Sequence, residues 1–455
     1  MRADARVLLA VAVLGVGSAL AAGAPATTEV SGTAGFLLKI GHDTTRVTGP
    51  VLPDGTIDYA TAGWEVMHKG VTAENNAYPL VAGVIKQFTK VPGAFYDELP
   101  ADQRKGSYSN VFDMVTWRPW EATEYPAVAK WLAGNGAALA KLETGKRGTR
   151  LCPPRPAAGT RGWSVLPAPS QIQDLCYAMD MQGMEALAAG HQKSAMRDAE
   201  TIHWLADLMA RDSASVGFLD APRFDAIACR LALWGARMGN TAQKRQWLVF
   251  VQSIPERRIN SEAIDTFWRF GALESVMAWM RGKPSEDLTF KLSADVRDAD
   301  WNVVLKQVNS VLDEEVRISR EPTWQAWQDA KQWAETLKKT PIPENQARTL
   351  TETYDQVEEA FLKRRAGESR DAYSSRLAAN FSIMLTAAES FAVVPEQFLG
   401  DHARRRTLEI AIALEIYHDG HGVYPETLKA LTPGVLAAVP TDPYSEGGAE
   451  MKYER

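Results

Sequence analysis

Apolar residues recur every three or four positions over most of the chain, and that period predicts a mainly α fold. Ile172, Leu175, Cys176, Met179, Gly183, Ala186 and Leu187 form one stripe, with Ser170 placed as its N-cap and Gly190 as its end. Ala195, Ala199, Ile202, Ala206 and Met209 repeat the stripe on a second helix. Phe224, Ile227, Ala228, Leu231, Gly235 and Met238 do so on a third, with Pro222 near its start. Two later helices are predicted from Leu350, Tyr354, Val357 and Phe361, and from Leu377, Phe381, Met384, Leu385, Ala388 and Phe391. Short connections between such helices predict antiparallel hairpins packed side by side. The pair from Ser170 to Asp212 reads as an α-solenoid hairpin, although no strict repeat length emerges.

The pattern breaks in two places. Residues 29–60 are the least helical: Phe36-Leu37-Leu38-Lys39-Ile40 is a short apolar run, followed by the turn signals Gly49-Pro50 and Pro53-Asp54-Gly55, and a small strand pair is expected. Leu151 to Ser170 holds Pro153, Pro154, Pro156, Gly159, Gly162, Pro167 and Pro169, which cannot sustain a helix. That stretch is expected to be a long loop at 151–169 and the best internal boundary. The organisation expected is an export signal at 1–21, an N-terminal segment with short strands at 22–62, and a solenoid-like helical body at 63–400. A small α/β cap at 401–455 completes it.

The export signal is read from Arg2 and Arg6, the apolar stretch Val7 to Val16, and the small-residue cleavage site Ala19-Leu20-Ala21. The apolar stretch is short for a membrane span, so a periplasmic or extracellular protein is expected. No cysteine near the cleavage site supports a lipid anchor, and no later segment reads as membrane-spanning.

Composition narrows the function classes. The 455 residues are 45% hydrophobic and 23% charged, with a net charge of −6 and no long basic run, which argues against a nucleic-acid partner. Arg404-Arg405-Arg406, between Asp401 and Glu409, reads as a solvated helix face. There is no H-E-x-x-H, P-loop, G-x-S-x-G or strand-following G-x-G-x-x-G. A glycosidase would need only two well-placed carboxylates, and no pair can be chosen among 56 acidic residues. No catalytic, cofactor or metal residue is therefore assigned, and no cofactor is expected.

Three features have side chains suited to a site. His418-Asp419-Gly420-His421 has donors for a metal, but reads better as a helix end: its dipole favours His418 there, and Gly420 and Gly422 make the stop. Of the 14 tryptophans, Trp117, Trp120 and Trp131 cluster, as do Trp324, Trp327 and Trp333. Trp327, Ala330, Ala334 and Leu337 share one helical stripe flanked by Trp324 and Trp333, so packing is preferred over a sugar-stacking platform. Cys176 falls on an apolar stripe as a buried free thiol, and Cys152 lies in a loop where pairing with Cys176 stays open; Cys229 is the third.

Two stretches carry a resemblance. Asp43 to Ala77 is similar to the N-terminus of a family of exported bacterial helical proteins of unknown function. Leu408 to Arg455 resembles the globular end of the type II secretion major pseudopilin, through Gly422, Tyr424, Pro425, Leu428, Leu431, Val439, Pro440, Asp442, Pro443, Tyr444 and Tyr453. A pseudopilin carries this segment directly behind a membrane helix and continues into a calcium-binding loop. Here some 380 residues precede it and the chain stops at Arg455, which reads as a truncated end, so neither filament assembly nor calcium is carried over. The expectation is a non-catalytic scaffold or interaction protein of the cell envelope with a protein partner. The alternatives are a carbohydrate-active hydrolase with carboxylate catalysis and an accessory of type II secretion.

Overall fold

The computed structural model describes residues 28–31, 37–89, 117–146, 148–155, 169–211, 217–281, 297–338, 363–386, 391 and 393–454. Within these the protein is mainly helical. The export signal, the expected helix at 350–361, and most of the 151–169 loop lie outside the described residues.

Two short strands, β1 (Thr28–Ser31) and β2 (Leu37–Ile40), pair antiparallel. The first helices are α1 (Tyr59–His68), α2 (Tyr78–Gln87) and α3 (Pro126–Gly145). Then come α4 (Pro169–Ala188), α5 (Gln192–Arg211), α6 (Gly217–Met238) and α7 (Thr241–Ser253). A short turn, Ser261–Ala263, and a π-helical turn, Ile264–Trp268, lead into α8 (Arg269–Met280). The remainder are α9 (Trp301–Arg320), α10 (Thr323–Lys338), α11 (Arg370–Thr386), α12 (Val393–His421) and a 3₁₀ turn, Leu428–Leu431.

Local chemistry explains several ends and corrects two expectations. Ser170 is not the N-cap of α4, because the helix already starts at Pro169, whose fixed φ suits a first helical position. Gly190 does end it, with a left-handed φ of 77°. Gly420 lies inside α12, and the stop is Gly422, at φ 72°. Asp58 and Asp300 cap α1 and α9, each accepting a backbone N–H.

The buried side chains fall into two large cores. The first joins α2 and α3 to α4, α5, α6 and α7, with Leu139, Leu142 and Leu151 in the same cluster as Ile172 and Leu175. The second joins the N-terminal segment to α8, α9, α10 and α11. Helix α12 belongs to both. Its first turns give Val394 and Phe398 to the second core, and Leu408, Ile412 and Ile416 to the first. Its 29 residues span about 43 Å. Beyond it, Leu428, Leu431 and Leu436 pack into the first core. Tyr444 lies edge-on to Trp327 of α10, with centroids 5.7 Å apart.

Residues 37–59 clamp the second core. The Asn302 amide bonds the backbone of β2, donating to Leu37 O (2.9 Å) and accepting from Lys39 N (2.8 Å). Asn309 Nδ2 donates to Thr44 O (2.8 Å), and the buried Tyr59 hydroxyl donates to Thr45 O (2.8 Å). Arg46 grips both oxygens of Asp265 at 3.0 Å. Asp265 and Asp313 also accept from the fully buried Arg269. On the same helix as Asp313, Glu315 is fully buried and neither carboxylate oxygen has a hydrogen-bond partner. Burial pushes its carboxyl well above the usual range, with the Arg269 charge acting the other way.

Candidate binding groove

The face left open in the first core lies between α5 and α7. Both helices pack on α6. Trp247 of α7 reaches α6 because Gly235 has no side chain: a Cβ there would lie 2.2 Å from the indole. The Trp247 Nε1–H then donates to Gln192 Oε1 at the start of α5 (2.8 Å). The start of α7 is set by a capping box, in which Gln243 N donates to Asn240 Oδ1 (3.0 Å) and Asn240 N to Gln243 Oε1 (2.8 Å). On its other side, buried Lys244 donates to Asp419 of α12 (2.7 Å), and Thr241 donates to the second oxygen of Asp419 (2.8 Å).

What remains is a concavity of about 500 Å³, lined by Met196, Glu200 and His203 of α5 and by Arg245, Gln246, Val249, Phe250 and Ser253 of α7. A second, of about 480 Å³, lies between Gly190 to Ser194, Arg197 and Gln243. Low numbers on α5 face low numbers on α7 in both, so the helices run in the same direction and the concavities follow one another along the groove.

His203 is the most firmly held polar group on this wall. Its Nδ1–H donates to Asp225 Oδ1 (2.8 Å), which leaves Nε2 as an acceptor. Asp225 is almost fully buried, and its other oxygen receives the Nε–H of Arg257. Arg257 also donates to Asp207 (3.1 Å), and its carbonyl accepts from His402 Nε2 (2.8 Å). Glu200, the one carboxylate among the residues lining either concavity, is paired with Lys146 at 3.1 Å.

Behind Asp225 lies the midpoint of α12. Burial and the neighbouring Asp225 push Asp401 up to about 7, against the pull of Arg404 and Arg257. Burial opposes ionisation of Glu256 too, yet hydrogen bonds from Arg406 and Arg405 and the field of His402 hold it at about 2. The reading of Arg404-Arg405-Arg406 as a solvated face holds for exposed Arg404 and is corrected for the other two. Arg405 and Arg406 are mostly buried and both donate to Glu256 (2.7 and 2.6 Å), because α12 crosses the 254–260 loop there.

The other candidate features are contacts within the fold, apart from the exposed Trp117. Asp419 is held by Lys244 and Thr241, while His418 and His421 stack on different tyrosines, Tyr424 and Tyr417. Among the described residues no three His, Cys, Asp or Glu side chains are grouped to hold a metal. Trp120 and Trp131 are buried, and Trp117 is exposed; Trp333 packs edge-on to Phe391. Cys152, Cys176 and Cys229 are all buried and none is in a disulfide, so the open Cys152–Cys176 pairing is not made: the two thiols sit in different apolar clusters.

The groove is not marked by any sequence motif. The Asn240–Gln243 capping box was a signal for α7. The His203–Asp225 pair, 22 residues apart on different helices, left none. Comparison with protein-family models, curated proteins and solved structures finds no match for the chain. No helix among the described residues is long and apolar enough to cross a membrane.

Proposed function

We propose that this is an exported interaction protein of the cell envelope. Its helical body is a stack of antiparallel hairpins, solenoid-like, that offers the faces between same-direction helices to a protein partner. In this reading the segment from 401 to 455 is a cap akin to the pseudopilin globular end. The observation that carries the proposal is the open α5–α7 groove, lined by exposed Val249 and by a fixed imidazole, with Glu200 as its only carboxylate. A glycosidase needs two carboxylates facing one cleft. Asp225 and Asp401 do approach one another, but both are buried behind the groove wall.

The test is a photo-crosslinking residue placed at Val249 and, as a control, at exposed Lys306 of α9, with expression in the source cells. An adduct with a second polypeptide from position 249 and none from 306 is expected. Equal adducts from both positions, or none from 249, count against the proposal. So does turnover of a glycan, ester or peptide that vanishes when one buried carboxylate is replaced by its amide.

A further inference from the structure

The groove also has a chemical polarity, and on the interaction reading above we infer that its occupant is an acidic, extended peptide segment carrying aliphatic side chains. The stretch from Gly190 to His203 along α5 is about 20 Å, the length of six or so residues in a strand. Its cations are Lys193 and Arg197 in the first half and Arg245 at the near end of the second, where the carboxylate of Glu200 is paired with Lys146. Lys193 and Arg245 meet no carboxylate among the described residues, and Arg197 reaches Glu143 only at 3.7 Å. In a chain with a net charge of −6 this is a local feature and not a reflection of the whole surface.

The second half is apolar and then polar. Val249 is 65% exposed and continues into Met196 and the edge of Phe250, a seat for a branched aliphatic side chain. Beyond it His203 Nε2 offers an acceptor whose direction is fixed by Asp225, suited to a backbone N–H. Carboxylates of the segment pair with Arg245 and Lys193, the aliphatic group covers Val249, and a peptide N–H meets His203. A nucleic acid fits less well: Phe250 is buried edge-on against His203 and Trp247, so no aromatic face stands free for a base to stack upon.

The test uses the full chain and a fluorescein-labelled hexapeptide of three glutamates, two leucines and a glycine. Controls are the same peptide with lysines for glutamates, and a six-nucleotide single-stranded DNA. Anisotropy is expected to show saturable binding of the acidic peptide alone, weakened at least tenfold by Arg245→Gln and by Val249→Asp. Circular dichroism and the melting temperature of both variants should match the parent, since both side chains are exposed. Binding of the lysine peptide or the DNA as tightly, affinity unchanged in both variants, or no binding at millimolar peptide each overturns the inference. A crosslinked partner at Val249 whose attached peptide is not acidic also overturns it, while leaving the interaction function standing.

Discussion

The two cores treat their outer faces differently. Around the second core the chain supplies its own cover: residues 37–59 lie on α8 and α9, with Leu38, Ile40, Ile57 and Tyr59 buried beneath them. Around the first core no described segment covers the α5–α7 face in this way, and Val249 is 65% exposed. Both regions have buried arginines, Arg269 in one and Arg257 in the other, each held by two carboxylates. The difference is thus not in how charge is buried but in whether a surface is closed. Where this protein needs a helix face covered for stability, a segment of the chain covers it.

The largest effect expected from that comparison is at Tyr59, whose ring is buried under the cover and whose hydroxyl holds Thr45. Tyr59→Ala should cost about 3–5 kcal/mol, read by denaturant unfolding of the full chain. A loss below 1 kcal/mol would show that the cover is an ornament and remove the contrast.

The next concerns the ionic knot where α12 passes between the cores. Asp401, ordinarily near 3.8, titrates at about 7 in the folded protein, so the fold keeps a proton that the unfolded chain releases. Stability is therefore lost as pH rises from about 4 to 7, at up to ~1.4 kcal/mol per pH unit. Glu256 acts in the opposite window. Its carboxyl is lowered from 4.5 to about 2, so its contribution is present above 4.5 and disappears as pH falls toward 2. The knot is most stable near pH 4–5. In Asp401→Asn the difference in stability between pH 4.5 and pH 8 should shrink by roughly 2–4 kcal/mol, measured by urea unfolding at each pH. An unchanged difference would mean that Asp401 is already ionised at low pH.

The smallest effect belongs to the open face. Val249→Ser should alter stability by no more than about 0.5 kcal/mol, seen as an unshifted unfolding midpoint. A loss of 2 kcal/mol would mean that Val249 is structural and the groove is closed in solution.

The helices themselves were legible because their apolar stripes are local: Ile172 to Leu187, Gly190 and Ala195 to Met209 mark α4 and α5 without any knowledge of neighbours. The strand at Leu37–Ile40 was legible from its own apolar run. The groove was not. Its residues lie on the polar side of α5 and α7, where periodicity registers only exposure, and the pairing of His203 with Asp225 depends on how α5 and α6 are rotated. The arginine run at 404–406 misled because three adjacent charges look solvated until the crossing 254–260 loop is known.

Helix α12 has a consequence for the order in which the protein is made. The first core is without Leu408, Ile412 and Ile416, and the second without Val394 and Phe398, until residues near the end of the chain emerge. Roughly 150 residues separate Ile254 from Leu408, which at ribosomal speeds is on the order of 10 s. Throughout that interval the nascent chain keeps an aliphatic strip of α6 and α7 uncovered. A holding factor would have its strongest claim on this protein then, and one late helix would dismiss it from both halves together.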